Sequence, residues 1–301
     1  MKTDLRVLLL FFGGILASIP SSYASETDQY HDRTVALRDS RDVINDRVNK
    51  RIRKAVDEWR GGVDFLKLAA AIRKSVDGAG IWGRMTFWSK TSGDVDRVNT
   101  IKHSIYRSLP AVKGARVFLL SSPTIRVNET RFGTDKFSHM FSQGWNYFVV
   151  ARQHGMETAL RGGIESEEGA LGLATTGVFS NADLAANFEG FRFYRSLFED
   201  GVIPGKPALV KWNSAGTPVV QRDFDINDHV NAYWDESINT SFYPQSTEAL
   251  ILENILKLCP EYYARPELFA IDPDLDEELS ARYAGLGFRQ YKTKRLQNLC
   301  M

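Results

Sequence analysis

The sequence has few cysteines, almost no net charge and no long apolar run after its first two dozen residues. Of 301 residues, two are cysteines, and 38 basic residues nearly balance 37 acidic ones, for a formal net charge of +1. So small a charge gives no global attraction to nucleic acid, and no nucleic-acid partner is predicted. No later segment approaches the roughly 20 apolar residues of a membrane span, so we predict no stable membrane insertion after processing.

The amino terminus has the features of a secretory signal peptide. Lys2 and Arg6 precede the apolar run 7–17, which is too short to span a bilayer. Ser22 and Ala24 then supply the small residues of a cleavage site. We therefore predict that residues 1–24 form a signal peptide cut after Ala24, and that the mature protein is periplasmic or secreted. An uncleaved anchor is the less favoured alternative.

The two cysteines, Cys259 and Cys300, both lie in the C-terminal region. An even count is compatible with one disulfide in an oxidising compartment. Two free buried thiols are the alternative that the sequence leaves open.

Residue patterns predict a mainly α-helical fold with one or two short β-hairpins. With 43% hydrophobic residues the chain can bury a substantial core. We predict a single mainly helical domain over residues 25–301, which could subdivide near the Pro- and Gly-rich stretch 201–218. Residues 78–93 are predicted as a loop anchored by Trp82, Phe87 and Trp88. Helices are predicted at about 34–59, 63–76, 95–109, 134–153, 164–173, 181–199, 246–258 and 276–284, and hairpins at about 115–127 and near Val219.

The predicted helix that follows Ser180 carries a polar stripe between apolar flanks. Ser180 is a predicted N-cap, with Asp183 three residues later. At about 100° per residue, Asp183, Asn187, Gly190 and Tyr194 share one stripe. A stripe enclosed in this way is expected to be buried. Its polar groups must then bond one another, another helix or a ligand. The small Gly190 is expected to allow a close helix approach.

The preceding predicted helix, 164–173, offers two candidate glutamates. Ile164 and Leu171 mark its apolar face, and Glu167 and Glu168 lie on opposite flanks of that face. Periodicity does not choose between them. The desolvated one would have a raised carboxyl pKa and would suit a general acid. The alternative is a structural pair with the Asn187 amide or a lysine.

The predicted helix 134–153 places Asp135, His139, Ser142 and Asn146 opposite its apolar face. This stripe could simply face water, since a lone histidine is ordinarily solvated or hydrogen-bonded. The neighbouring polar stripes make His139 a site candidate.

These residues together form a motif that resembles the VanZ-like group of bacterial envelope proteins. The pattern is Asp-Lys-x-x-His, a downstream Glu, then Phe-Ser-x-x-Asp-Leu-x-x-Asn-x-x-Gly, and it spans about a fifth of the chain. The resemblance implies an envelope protein, typically membrane-embedded, and it selects Glu168 over Glu167. The matching residues are Asp135, Lys136, His139, Glu168, Phe179, Ser180, Asp183, Leu184, Asn187 and Gly190.

A second, weaker resemblance is to lysozyme-superfamily murein hydrolases and lytic transglycosylases. In those enzymes a helix-terminal Glu precedes a Gly-Ala-x-Gly-Leu segment and a further helix. Here Glu157 precedes 169–173 by the usual interval. The chain departs from the pattern at Thr158, where the family has Ser, and at 174–175, where Ala-Thr replaces Met-Gln. This resemblance implies that Glu157 is a catalytic carboxylate.

The predicted function is a secreted or periplasmic enzyme that cleaves peptidoglycan glycan strands with a buried glutamate as general acid. Glu168 is the predicted acid and Glu157 the second carboxylate. Asp183 and Asn187 would orient groups at the site, and His139 would contact substrate or the polar network. Aromatic side chains, Tyr194 and Trp234 among them, would stack on sugar. The competing hypothesis is a non-catalytic VanZ-like envelope protein in which the same polar residues form a structural core network.

An acidic and aromatic segment, 221–243, suggests which glycan would bind. Asp235 and Glu236 lie beside Trp234 and could bind a cationic, deacetylated sugar, although a solvated loop edge is the plainer interpretation. A calcium loop beginning at Asp223 is not favoured, because Asp228 stands where the tight turn needs glycine. No cofactor or metal is predicted. A metal-dependent hydrolase using His139, Glu168 and Asp183 is a third hypothesis, which lacks any short-range ligand pair such as His-Glu-x-x-His.

Overall fold

The computed structural model of the chain describes residues 26–78, 83–99, 103–110, 121–169 and 171–301. The predicted signal peptide and the predicted strand at 115–120 lie outside these residues. Within them the fold is mainly α-helical with two short hairpins, as predicted. None of the described helices is both long enough and apolar enough to cross a membrane.

The helices follow the chain in three groups. The N-terminal group is α1 (Arg41–Asp57), α2 (Phe65–Val76) and α3 (Arg84–Thr91). The central group is α4, made of a turn Lys136–Ser138, a π-helical segment His139–Gln143 and Gly144–His154, followed by α5 (Met156–Glu168) and α6 (Asn181–Ser196). The C-terminal group is α7 (Gln245–Leu256), α8 (Cys259–Ala264), α9 (Pro273–Arg282) and α10 (Leu296–Leu299).

Both β-sheets are two-stranded antiparallel hairpins. Strand β1 (Thr124–Val127) pairs with β2 (Thr130–Gly133), with Val127 opposite Thr130. Strand β3 (Val210–Trp212) pairs with β4 (Pro218–Val220), as expected for the hairpin near Val219. We predicted that 124–127 would pair with the strand that precedes it, at 115–120. The structure instead pairs Thr124–Val127 with the strand that follows, Thr130–Gly133.

Within the described residues, one predicted helix and one predicted loop were wrong. The region 95–109 contains only a short 3₁₀ helix, Ile105–Ser108, because Val98 is instead bridged to Thr124 of the first hairpin. The predicted loop 78–93 contains α3, and Phe87 is exposed on it rather than packed as an anchor. Helix α5 also lies earlier than predicted. It begins after Gly155, whose φ of +87° ends α4.

Helices α4 and α6 approach each other closely at two glycines. A methyl group on Gly144 would lie 2.4 Å from the Cα of Gly190, and one on Gly190 would lie 1.9 Å from the carbonyl oxygen of Met140. The prediction that Gly190 permits a close helix approach is confirmed. The contact holds the π-helical segment of α4 against the polar stripe of α6, and such segments often occur at functional sites.

The two cysteines form a disulfide. The Cys259–Cys300 bond joins α8 to the end of the chain, with Cα atoms 5.5 Å apart. Near it, a smaller apolar cluster packs α7 against the 3₁₀ helix through Ile251, Ile255 and Ile105. The main core instead lies among α1, α2, α4 and α6.

Candidate functional site

A fully buried lysine is the centre of a charged cluster between α4 and α6. The ammonium of Lys136 lies 2.6 Å from Asp183 Oδ1, 2.7 Å from Glu236 Oε1 and 3.0 Å from Asp135 Oδ2. Asp135 and Lys136 open α4 directly after β2, and Asp183 lies in the first turn of α6. Glu236 comes from the irregular segment after the 3₁₀ helix Ala232–Trp234. Three distant parts of the chain therefore meet on one ammonium group.

A second part of the cluster leads from Asp183 toward the surface. His139 Nε2 lies 3.2 Å from Asp183 Oδ2, and its Nδ1 lies 3.0 Å from Asn187 Oδ1. The Asn187 amide is in turn hydrogen-bonded to the hydroxyl of Tyr147 on α4. Asp183 and Asn187 are one turn apart on α6, so both face His139. The predicted inward stripe is confirmed for these residues.

Two further buried glutamates border the cluster. Glu167, near the end of α5, is 1% exposed, and its Oε2 accepts a 3.3 Å hydrogen bond from the Ser180 backbone N–H. Glu26, in the extended N-terminal segment, accepts a hydrogen bond from the hydroxyl of Thr176. The second carboxyl oxygens of Glu167, Glu26 and Glu236 have no hydrogen-bond partner. Unpartnered buried oxygens of this kind are costly, so three in one place need an explanation.

Burial and mutual repulsion divide the carboxyl groups into two kinds. Burial raises the pKa of Glu26 and of Glu167 well above the usual value, with added repulsion from Glu236 and from Asp183 respectively. Burial also raises the pKa of Glu236 to about 8, although Lys136 opposes the rise. Burial alone would raise the pKa of Asp135 too, but Lys136, His139 and Lys90 together outweigh burial, so the pKa is lowered. The surroundings therefore favour the protonated form of the three glutamates and the ionised form of Asp135.

The buried Glu189 shows how a satisfied structural carboxylate differs. It lies on another face of α6, where both oxygens accept hydrogen bonds from Arg192, at 3.0 and 2.9 Å. The hydroxyl of Tyr283 donates to it at 2.7 Å. Burial tends to raise the pKa of Glu189, but His229 and Arg192 lower it overall. Glu189 is paired and its pKa is lowered, whereas the glutamates around Lys136 are partly unpartnered and their pKa values are raised.

A pocket of about 320 Å³ adjoins the cluster between α4 and α5. Its walls include Gln143, Asn146 and Tyr147 from α4, and Gly163 and Ser166 from α5. Tyr147 belongs both to the pocket wall and to the hydrogen-bonded series through Asn187 to His139. Ser166 in the wall immediately precedes Glu167. The pocket and the charged cluster are thus connected through Tyr147.

The structure corrects the prediction of which glutamate is buried. Glu168 is outside the cluster: its side chain is 43% exposed and pairs with Arg289. Glu157 is exposed in the first turn of α5. The buried glutamate of the pair is Glu167. The error arose because Glu167 and Glu168 flank the apolar face equally in projection, and only the path of the following turn decides which of them is covered.

The predicted sugar-binding residues also lie elsewhere than expected. Tyr194 is buried and donates to the Phe141 carbonyl, and Trp234 is buried edge-on against Phe132 at 5.2 Å. Neither ring can stack on a sugar in this structure. Asp235 is buried and bonds Arg33 at 2.8 Å. Neither the cationic-sugar surface nor a solvated loop edge therefore describes Asp235 or Glu236, because both are in the interior.

Sequence reasoning missed two members of the cluster and misjudged a third. Lys136 and Asp135 were found through the motif. Glu26 lies in an extended segment and Glu236 in an irregular one, so neither has a periodic pattern that would show which way it faces. Glu167 and Glu168 have the same relation to the apolar face of their helix, and the motif spacing favoured Glu168.

Comparison with known proteins adds no assignment: no protein-family model, no curated protein and no solved structure matches this chain.

Proposed function

We propose that this protein is a cell-envelope hydrolase that cleaves glycan strands, with Glu167 as the general acid. The observation that carries the proposal is a buried glutamate with a raised pKa and an unpartnered oxygen, next in sequence to Ser166 in the wall of a pocket. A carboxylic acid that keeps its proton at neutral pH can donate it to a leaving oxygen. The VanZ-like and lysozyme-like motifs support the envelope setting.

The other residues of the cluster have supporting roles in this proposal. Lys136 holds Asp183 in place, and Asp183 in turn orients His139. Asn187 links His139 to Tyr147, which lines the pocket. The amide, hydroxyl and aromatic groups of the pocket suit a sugar, and its volume accommodates a small ligand.

Glutamine at position 167 tests the proposal. Glu167→Gln keeps the shape of the protonated acid but cannot donate an acidic proton, so release of soluble fragments from purified peptidoglycan should fall by about 10²–10⁴-fold. Glu165→Gln is the matched control, because Glu165 is exposed on the same helix. Both acetylated and deacetylated peptidoglycan should be assayed. Wild-type protein that releases no fragments from either would contradict the proposal.

A non-catalytic structural role for the cluster is the second candidate. The burial of Asp183, His139 and Glu167 in this structure supports this role. In that case wild-type protein would lack hydrolytic activity, and substitutions in the cluster would change only stability.

A further inference from the structure

We infer that Asp135, His139 and Asp183 form a binding site for one divalent transition-metal ion. The three residues lie on α4 and α6 and are all buried, and one ligand atom from each lies within 4.8 Å of the others. An imidazole nitrogen with two carboxylate oxygens suits ions such as Zn²⁺, Co²⁺ or Mn²⁺ better than Ca²⁺, which prefers oxygen alone. The inference does not depend on the proposed hydrolysis.

The hydrogen bonds of His139 leave the correct nitrogen for a metal. Nδ1 faces the carbonyl oxygen of Asn187 at 3.0 Å, so Nδ1 carries the hydrogen. The lone pair of a neutral ring is then on Nε2, which faces Asp183 Oδ2 at 3.2 Å. Two lone pairs that face each other need a proton or a cation between them. Metal-ligating histidines characteristically donate their other N–H to an oxygen acceptor, as His139 does to Asn187.

Each aspartate gives one oxygen to Lys136 and has a second partner for the other oxygen. Asp183 gives Oδ1 to Lys136 and turns Oδ2 toward His139. Asp135 gives Oδ2 to Lys136, and its Oδ1 accepts from Thr27 at 3.0 Å. Two aspartates against one ammonium leave a negative charge beside the imidazole, which favours a cation there.

An independent observation points to a missing ligand at the same place. Glu236 is 2% exposed and shares Lys136 with Asp183, yet its Oε2 has no hydrogen-bond partner. Glu167, which is also buried, has an unpartnered Oε1. A hydrated metal ion would place water beside these oxygens, and water can donate or accept the hydrogen bonds that they lack.

Cobalt binding by the full mature protein tests the inference. After removal of metal with a chelator, Co²⁺ is added in one arm to folded protein, and in the other to protein refolding from denaturant with its disulfide intact. The second arm allows an ion to enter a site that is closed in the folded state. We expect about one Co²⁺ per chain by elemental analysis, visible d–d absorption, and one paramagnetically shifted, slowly exchanging imidazole N–H signal.

Two histidines of α4 provide the variant and its control. His139→Gln should weaken Co²⁺ binding by more than the 10–100-fold typical of losing an outer partner of a metal ligand. His154→Gln removes an exposed histidine from the same helix and should bind as wild type does. If His139→Gln does not fold, Co²⁺ binding is measured on Asp183→Asn instead. The shifted imidazole N–H signal of the wild type then serves as the evidence that a histidine binds the ion. Absence of Co²⁺ binding in both arms, or binding unchanged in the folded His139→Gln variant, would overturn the inference.

Discussion

Replacing Glu236 with glutamine tests whether a buried carboxyl group in the cluster keeps its proton in the folded protein. Burial raises the pKa of Glu236 to about 8 from an ordinary value of 4.5. The charged groups that face it are Lys136, which lowers the pKa, and Asp183 and Asp135, which raise it. The side chain of Gln keeps an oxygen for Lys136 and places an amide where the protonated oxygen would be.

The sign of the effect follows from proton binding. An unfolded chain loses the Glu236 proton near its ordinary pKa of 4.5, whereas the folded protein keeps it up to about pH 8. Between these values the folded state binds the extra proton, so its stability falls as the pH rises, by up to about 1.4 kcal/mol per pH unit. The full contribution is present below the unfolded pKa and is lost as the pH rises through the folded pKa. Glutamine removes this slope, so the variant should gain about 2 kcal/mol on wild type between about pH 6 and pH 8.

The assay is urea unfolding across this pH range in metal-free buffer, with the disulfide intact. Glu277→Gln, which removes an exposed glutamate from α9, should change the free energy of unfolding by a similar amount at every pH. If the stability curves of wild type and Glu236→Gln run parallel from pH 6 to pH 8, Glu236 is ionised in the folded protein. The raised pKa of Glu236 is then wrong.

Two further predictions concern the packing around the site and the C-terminal region. Gly190→Ala should lower stability by at least about 1–3 kcal/mol in thermal unfolding, because the new methyl group would lie 1.9 Å from the Met140 carbonyl oxygen. Gly162→Ala is its control: it has open space around it in α5 and should not destabilise. Replacing both Cys259 and Cys300 with serine should reduce the free energy of unfolding by about 2–4 kcal/mol, since the bridge closes a loop with a sequence separation of 41. Equal urea midpoints for the serine variant and wild type would contradict that estimate.

The polar stripe of α6 and the position of α1 were predicted from periodicity, because burial and helical spacing are coupled. The α6 stripe is the clearest case: Ser180 caps the helix through Asp183, and Asp183 and Asn187 are buried as the pattern indicated. The helix predicted at about 34–59 is also present as α1, although it begins at Arg41 rather than near Thr34.

Irregular segments have no periodic pattern that indicates which side chains are buried. The burial of Glu236 depends on a turn in which the Asp235 carboxylate accepts from the backbone N–H and the hydroxyl of Ser237 and bonds Arg33. Glu26 is covered by contacts with a residue 150 positions away, Thr176. Such contacts are set by the tertiary fold, so no local pattern could have placed these two glutamates beside Lys136.

The two candidate roles of the cluster predict opposite relations between stability and activity. If the cluster were a structural core like the network of Glu189, each substitution should cost stability, because paired buried charges are lost. If it is a functional site, its unpartnered glutamates with raised pKa values lower the free energy of unfolding. Neutral replacements should then raise the free energy of unfolding. Glu167→Gln distinguishes the two readily: greater stability above neutral pH together with lost activity indicates a functional site. Lower stability at every pH with no activity to lose indicates a structural one.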